Sequence, residues 1–317
     1  MHPRLIKQYI FLVFRGMAMG AADLIPGVSG GTIAFITGIY EELINSIKSV
    51  NRQFFSVLFS SGIPAAWKHI NGNFLVAVFA GIFISILSLA RVISWLLQVH
   101  PKLVWAFFFG LIVASTLHVG RKIDKWKITT ILSLIAGAVI AAWITLATPA
   151  TSPQTWWFVF LSGSIAIIAM ILPGISGSFI LLLLGKYEYI LNAVKDLNID
   201  IIGIFIAGCI VGIISFSNLI SWLFKKFPDV TMAVLTGFML GSLNKLWPWK
   251  EITAYQTDSL GEMVPLTEKS ISPFVYQDIT GNDHLLGYAL LSAVVGFLII
   301  FIFDVIAFQK QKSNPKI

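Results

Sequence analysis

Two Pro-Gly-x-Ser-Gly tracts, Pro26-Gly27-Val28-Ser29-Gly30 and Pro173-Gly174-Ile175-Ser176-Gly177, are the residues of this sequence best fitted to bind something. The first runs on into Gly31 and Thr32, the second into Ser178. Glycines leave backbone N–H groups unobstructed, hydroxyls add donors, and a helix that starts behind such a turn is electropositive at its first turn; together these suit an anion. The candidate binding residues are Gly27, Ser29, Gly30, Gly31 and Thr32 in the first tip and Gly174, Ser176, Gly177 and Ser178 in the second. Close helix packing by small residues is the alternative for either tip alone. Neither tip ends in the Gly-Lys-Ser of a nucleotide loop.

Ionisable residues inside apolar stretches are few: Arg15, Asp23, Arg91, His118 and Asp304, with Glu41 and Glu188 just past the tips. A charge at membrane depth is a functional hypothesis by default. Arg91 sits too far into its span to snorkel comfortably and is a candidate contact for an anionic substrate, as is Arg15; a structural carboxylate partner is the alternative for Arg91. Asp23, three residues before Pro26, could pair with Arg15 or carry a proton, and Asp23, Glu41 and Glu188 are the candidate proton carriers. Met170 stands where the second copy would have its aspartate, so the two copies are chemically unequal. His118 and Asp304 read as boundary residues. Five scattered histidines and one cysteine, Cys209, give no metal-ligand spacing and no disulfide framework, so neither metal nor cofactor is expected.

The two tips belong to a longer internal repeat. Laid without a gap over 163–198, residues 16–51 are identical at 13 of 36 positions, including Gly16/Gly163, Gly38/Gly185, Tyr40/Tyr187, Glu41/Glu188, Asn45/Asn192, Lys48/Lys195 and Asn51/Asn198. Further on, Ala80-Gly81, Ile93-Ser94-Trp95-Leu96, Gly110 and Ser115 match Ala207-Gly208, Ile220-Ser221-Trp222-Leu223, Gly237 and Ser242. The offset drops from 147 to 127, which places 20 extra residues of the first copy in the stretch 51–73.

With 57% hydrophobic residues, 12% charged and a mean hydropathy of +0.85, the chain is expected to be an all-α integral membrane protein. Apolar runs fit spans at 74–97, 103–119 and 128–147 in a first half (1–150), and at 201–224, 230–247 and 285–308 in a second (151–317). The first apolar stretch lacks a small-residue cleavage site and runs straight into the first tip, so it is expected to be retained. Each half opens on a broken segment, 5–47 or 156–194. If these segments turn back at their tips as re-entrant hairpins, three crossings per half leave the halves oppositely oriented, an inverted-topology repeat; kinked full spans are the alternative. Lysine and arginine, with Arg121, Lys122, Lys125 and Lys127 in one short loop, put both termini in the cytoplasm. The net charge of +7 is therefore read as membrane-facing rather than nucleic-acid-binding.

The stretch from Gly20 to Thr32, with Leu172-Pro173-Gly174-Ile175-Ser176-Gly177-Ser178, resembles the two signatures of the bacterial polyprenyl-phosphate translocase family of the PopT type, formerly a domain of unknown function (DUF368). The resemblance covers nearly the whole chain. It implies a flippase of the bacterial inner membrane that returns undecaprenyl phosphate from the outer to the inner leaflet, so that the carrier lipid can be reloaded for cell-wall and envelope polysaccharide synthesis. Independently, an anionic head entering a negative interior needs a cation partner or a strong lipid gradient, and the carboxylates beside the tips favour protons. Two rivals remain open. Integral undecaprenyl-pyrophosphate phosphatases also carry Pro-Gly-x-Ser tips in inverted repeats, but an arginine and further hydroxyls follow the serine there, against Gly30-Gly31 and Gly177-Ser178 here. A carrier for a small soluble anion is the other. The sequence leaves the oligomeric state and the preferred polyprenyl chain open.

Overall fold

The computed structural model describes residues 4–25, 28–150, 152–257 and 263–313. The chain runs α1 (Ile6–Asp23), α2 (Gly30–Ile36), α3 (Tyr40–Lys48), α4 (Arg52–His69), α5 (Gly72–Val99), α6 (Pro101–Gly120) and α7 (Ile128–Leu146). It continues as α8 (Trp156–Ile171), α9 (Gly177–Leu183), α10 (Tyr187–Lys195), α11 (Ile199–Lys226) and α12 (Pro228–Ser242). Strands β1 (Lys250–Thr257) and β2 (Met263–Ser270), then α13 (Pro273–Thr280) and α14 (Leu286–Ser313), complete it. Among the described residues α5, α6, α7 and α11 are long and apolar enough to cross a membrane, and they fall on four of the six expected spans.

Three features depart from the expected outline. α12 is only 15 residues long, shorter than the 230–247 run, because the chain turns out of the helix to seat Trp247 against Phe109 and Trp249, where its indole N–H donates to the Ile271 carbonyl. The stretch 249–283, between the last two expected spans of a chain expected to be all-α, holds an antiparallel strand pair and α13; β1 and β2 pair from Lys250↔Ser270 to Thr257↔Met263. The extra residues of the first copy form α4, broken at Gly62 (φ 81°) two residues before Pro64. Phe55, Phe59, Ile63 and Trp67 lie exposed along it.

The chain forms two compact units, each drawing on both sequence copies: Met1–Ile93 with Pro149–Thr231, and Ser94–Thr148 with Met232–Ile317. In the first unit α2 folds back on α1 and α9 back on α8, so the chain reverses at each tip. A second bend follows; between α9 and α10 it measures 109°. α2 is buried along its whole length, packed on α8 as well as α1, and α3 packs on α11.

Many of the repeated residues do one structural job twice. Gly38 (φ 73°) and Gly185 (φ 60°) make the left-handed turns that end α2 and α9, conformations a Cβ disfavours. Asn51 caps α4, accepting from the backbone N–H groups of Gln53 and Phe54, and Asn198 caps α11, accepting from Ile201. Gly16 and Gly81 press α1 and α5 together so closely that a Cβ on either would meet the other helix's backbone; Gly163 and Gly208 do the same for α8 and α11. With lipid on the outside there is little hydrophobic drive between helices, so backbone approach through small residues supplies the packing.

The second unit repeats this device with a crossing of copies. Gly110 of α6 lies against Ala293 of α14, and Gly237 of α12 against Leu134 of α7. Its non-membrane part is anchored by aromatics: Trp249 donates to the His284 carbonyl, and the Lys250 ammonium lies 4.7 Å from the Trp105 ring centre. Lys250 and Lys245 both reach the Glu268 carboxylate, at 3.1 and 3.2 Å. Burial pushes the Lys250 ammonium down to about 8 despite that carboxylate. Burial also pushes Glu268 up, but the two ammonium groups outweigh it and hold its carboxyl below the usual range.

Candidate functional site

The two tips meet. Ser29 Oγ donates to the Met170 carbonyl at 2.6 Å, and the Gly174 backbone N–H donates to Thr32 Oγ1 at 2.8 Å, across more than 140 residues of sequence. Met170 lies in the last turn of α8, where carbonyls have no partner within the helix. Gly174, at φ 89°, has turned its own N–H away from any helix. The two hydroxyls of the first tip therefore satisfy two backbone groups that the second break leaves open, which matters where no water can do so. The approach is tight: a Cβ on Gly31 would run into the Ile171 carbonyl. The second copy has Ser178 at that place, and Ser178 is exposed.

The first tip is sealed. Ser29 and Thr32 are fully buried, and the donors expected to face an anion are engaged within the chain. Gly30 N–H donates to Asp23 Oδ1 at 2.6 Å, Gly31 N–H to Ser29 Oγ at 3.0 Å and Thr32 N–H to the Ser29 carbonyl at 2.9 Å. Asp23 thus uses its carboxylate on the tip rather than on Arg15, eight residues earlier on α1. Gly27 lies outside the described residues.

The second tip is more open. Ser176 and Ser178 share a hydroxyl hydrogen bond of 2.8 Å, Gly177 is half-buried, and no side chain caps α9. One tip thus presents a carboxylate already bound to backbone N–H, and its neighbour two hydroxyls with a glycine N–H between them. That pairing can hold an oxyanion on the open side and exchange a proton on the closed one.

The remaining candidates are dispersed. Arg15 is half-buried on α1, and Arg91 is exposed on α5, without a hydrogen-bonding or ionic partner among the described residues. Glu41 lies exposed at the start of α3 and Glu188 half-buried at the start of α10. His118 borders a small cleft of ≈ 70 Å³ with Arg121 between α6 and α14. The side chain of Asp304 lies outside the described ones. Sequence reasoning passed over Lys186, which is buried beside the Gly185 turn; its ammonium donates to the Ser152 carbonyl at 3.2 Å and faces the rings of Phe158 and Tyr189. A lysine where the first copy has Ile39 was the available signal.

Residues 19–264, spanning both tips and their contact, match the model of one protein family, described as undecaprenyl phosphate translocase-like. The chain belongs to that family. It is 49% identical over 294 residues to a polyprenyl-phosphate transporter of Vibrio cholerae serotype O1, covering 92% of this chain and 96% of the relative. To a polyprenyl-phosphate transporter of Staphylococcus aureus it is 33% identical over 256 residues, 74% of this chain and 85% of that one. No solved structure matches it. As a member of the translocase-like family with several membrane-crossing helices, it is a multi-pass membrane protein of transport type.

Proposed function

We propose that this chain carries polyprenyl phosphate from the outer to the inner leaflet of the bacterial cytoplasmic membrane, as a proton-coupled flippase rather than an enzyme. The observation that carries the reading is the direct contact of two like tips, Ser29 to Met170 and Gly174 to Thr32, inside one unit. The segments around them act as re-entrant hairpins from opposite faces of an inverted repeat, and the phosphate head passes where they meet. Ser176, Ser178 and Gly177 receive it; Ser29, Gly30, Gly31, Thr32 and Gly174 form the floor. Arg91 and Arg15 attract the head along its path. The names of the relatives support the substrate class.

Moving one negative charge into a negative interior costs about 2.3 kcal/mol per 100 mV. A proton travelling with the lipid offsets it, and Asp23 carries that proton. Its carboxylate holds the Gly30 N–H that a phosphate oxygen would compete for. Protonation weakens that bond and frees the donor; Glu41 and Glu188 serve as relays on either side.

The test is reconstitution in vesicles with labelled undecaprenyl phosphate under an imposed pH gradient. Wild type should move lipid at a rate that follows the gradient, and Asp23→Asn should lose that dependence. Gradient-driven transport by Asp23→Asn excludes Asp23, and wild-type transport blind to the gradient ends the proton-coupled reading. Release of inorganic phosphate in the same vesicles would establish the phosphatase instead.

A further inference from the structure

Away from the tips, α3 and the end of α11 flank a half-open cavity of ≈ 130 Å³ with a mixed lining, bordered by Glu41, Asn45, Ser221 and Lys225 and floored by Ile44 and Phe224. Ser221 Oγ, almost fully buried, donates to Asn45 Oδ1 at 3.0 Å and accepts from Lys48 Nζ at 3.2 Å. With its oxygen occupied, the Asn45 amide has both N–H donors left. Lys48 keeps two more. Lys225 and Glu41 have no hydrogen-bonding or ionic partner among the described residues, although they share one small cavity. Lys225 on the wall and Lys48 behind it on Ser221 stand against the one carboxylate of Glu41, with free donors on the Asn45 amide: an incomplete site, with surplus positive charge and directed donors but no anion of its own.

The depth of the cavity narrows the ligand. Lys226, next in the chain, lies over the rings of Trp222 and Phe227 at 5.3 and 5.4 Å, and Trp222 and Leu219 are exposed on the same helix end. Tryptophan and snorkelling lysine at the end of a long apolar helix mark the headgroup layer of a bilayer. An anion at that level, flanked by exposed apolar side chains, is a headgroup with its tail in lipid.

We infer that this cavity is a second station for the phosphate monoester of the carrier lipid, held by Lys225, Lys48 and the Asn45 amide, with Glu41 opposing it so that the head is released rather than retained. The inference rests on the transport reading above. It also gives the repeated Asn45 and Lys48 a role that the tips do not need, and Glu41 a second one beside its relay.

Placing a photoreactive residue on the cavity wall, Phe224→p-benzoylphenylalanine, in the full-length protein tests it with radiolabelled undecaprenyl phosphate. Lys225 is exposed and outside the Ser221 network, so Lys225→Gln leaves the fold intact; it should cut capture of the label about tenfold, the scale of one hydrogen bond to a charged group. Glu41→Gln should raise capture. Labelled undecaprenol, which lacks the phosphate, should be captured equally by all three proteins. Equal capture of undecaprenyl phosphate by all three overturns the station, as does inorganic phosphate binding through Lys225 while the lipid is ignored. Transport by the wild type, followed in parallel vesicles, separates the two ideas: transport with charge-blind capture sinks the station alone, and absent transport sinks the functional reading.

Discussion

Ser29 Oγ holds two backbone groups at once, the buried Gly31 N–H and the part-buried Met170 carbonyl. Ser29→Ala strands both, and each buried polar group left without a partner costs about 1–3 kcal/mol. Among the described residues Ser176 shares its hydroxyl only with exposed Ser178. Thermal unfolding in detergent should therefore fall clearly for Ser29→Ala and much less for Ser176→Ala; equal shifts would mean that the tips do not lean on each other through Ser29. The sequence displayed both tips and their residue types, because a helix break written as Pro-Gly-x-Ser-Gly is visible in one dimension. It did not display which donors stay free. That depended on Asp23 reaching Gly30 and on α8 ending at Ser29's height, both of which are matters of packing.

At the scale of elements, the glycines of α11 separate two roles on one helix. Gly208 of α11 lies against the Phe160 carbonyl, whereas Gly203, five residues earlier, has open space where a Cβ would go. Gly208→Ala should destabilise by about 1–3 kcal/mol through overpacking. Gly203→Ala should stabilise by up to ~1 kcal/mol through helix propensity. A shared response of the two variants would show that the α8–α11 seam is looser than its backbone contacts require. Long apolar helices were legible from hydropathy alone, and their ends agree within a few residues with α5, α6, α7 and α11. α4 and the β1–β2 pair were not, since a helix broken at Gly62 and two 8-residue strands leave only weak periodicity in a chain dominated by apolar runs.

For the molecule as a whole, orientation is the first question, and both termini are expected in the cytoplasm with α13 outside. Asp278→Cys on a Cys209→Ser background should react with an impermeant thiol reagent added from outside the cell; labelling only from the cytoplasm would reverse the orientation. The hairpin segment should also respond to pH through Lys250. Its folded value of about 8 lies below the ordinary 10.5, so between those limits the unfolded hairpin binds more protons and stability rises with pH, by up to ~1.4 kcal/mol per unit. Glu268 acts on the acid side: its depressed value contributes stability above the ordinary carboxylate range that is lost as pH falls through the folded value. Amide exchange in β1 and β2, corrected for intrinsic rates, should slow from pH 8 to 10 and quicken in acid, and a flat profile would remove Lys250 from the hairpin's stability. The crossed pairing of α6 with α14 and of α7 with α12 has a consequence for biosynthesis. When the ribosome has finished α7, neither it nor α6 has met its mate, because α12 and α14 are not yet translated. Both helices must wait in the bilayer with their glycine faces bare, so a chain stopped after α11 should be a substrate for membrane proteases, and one completed through α14 should be spared.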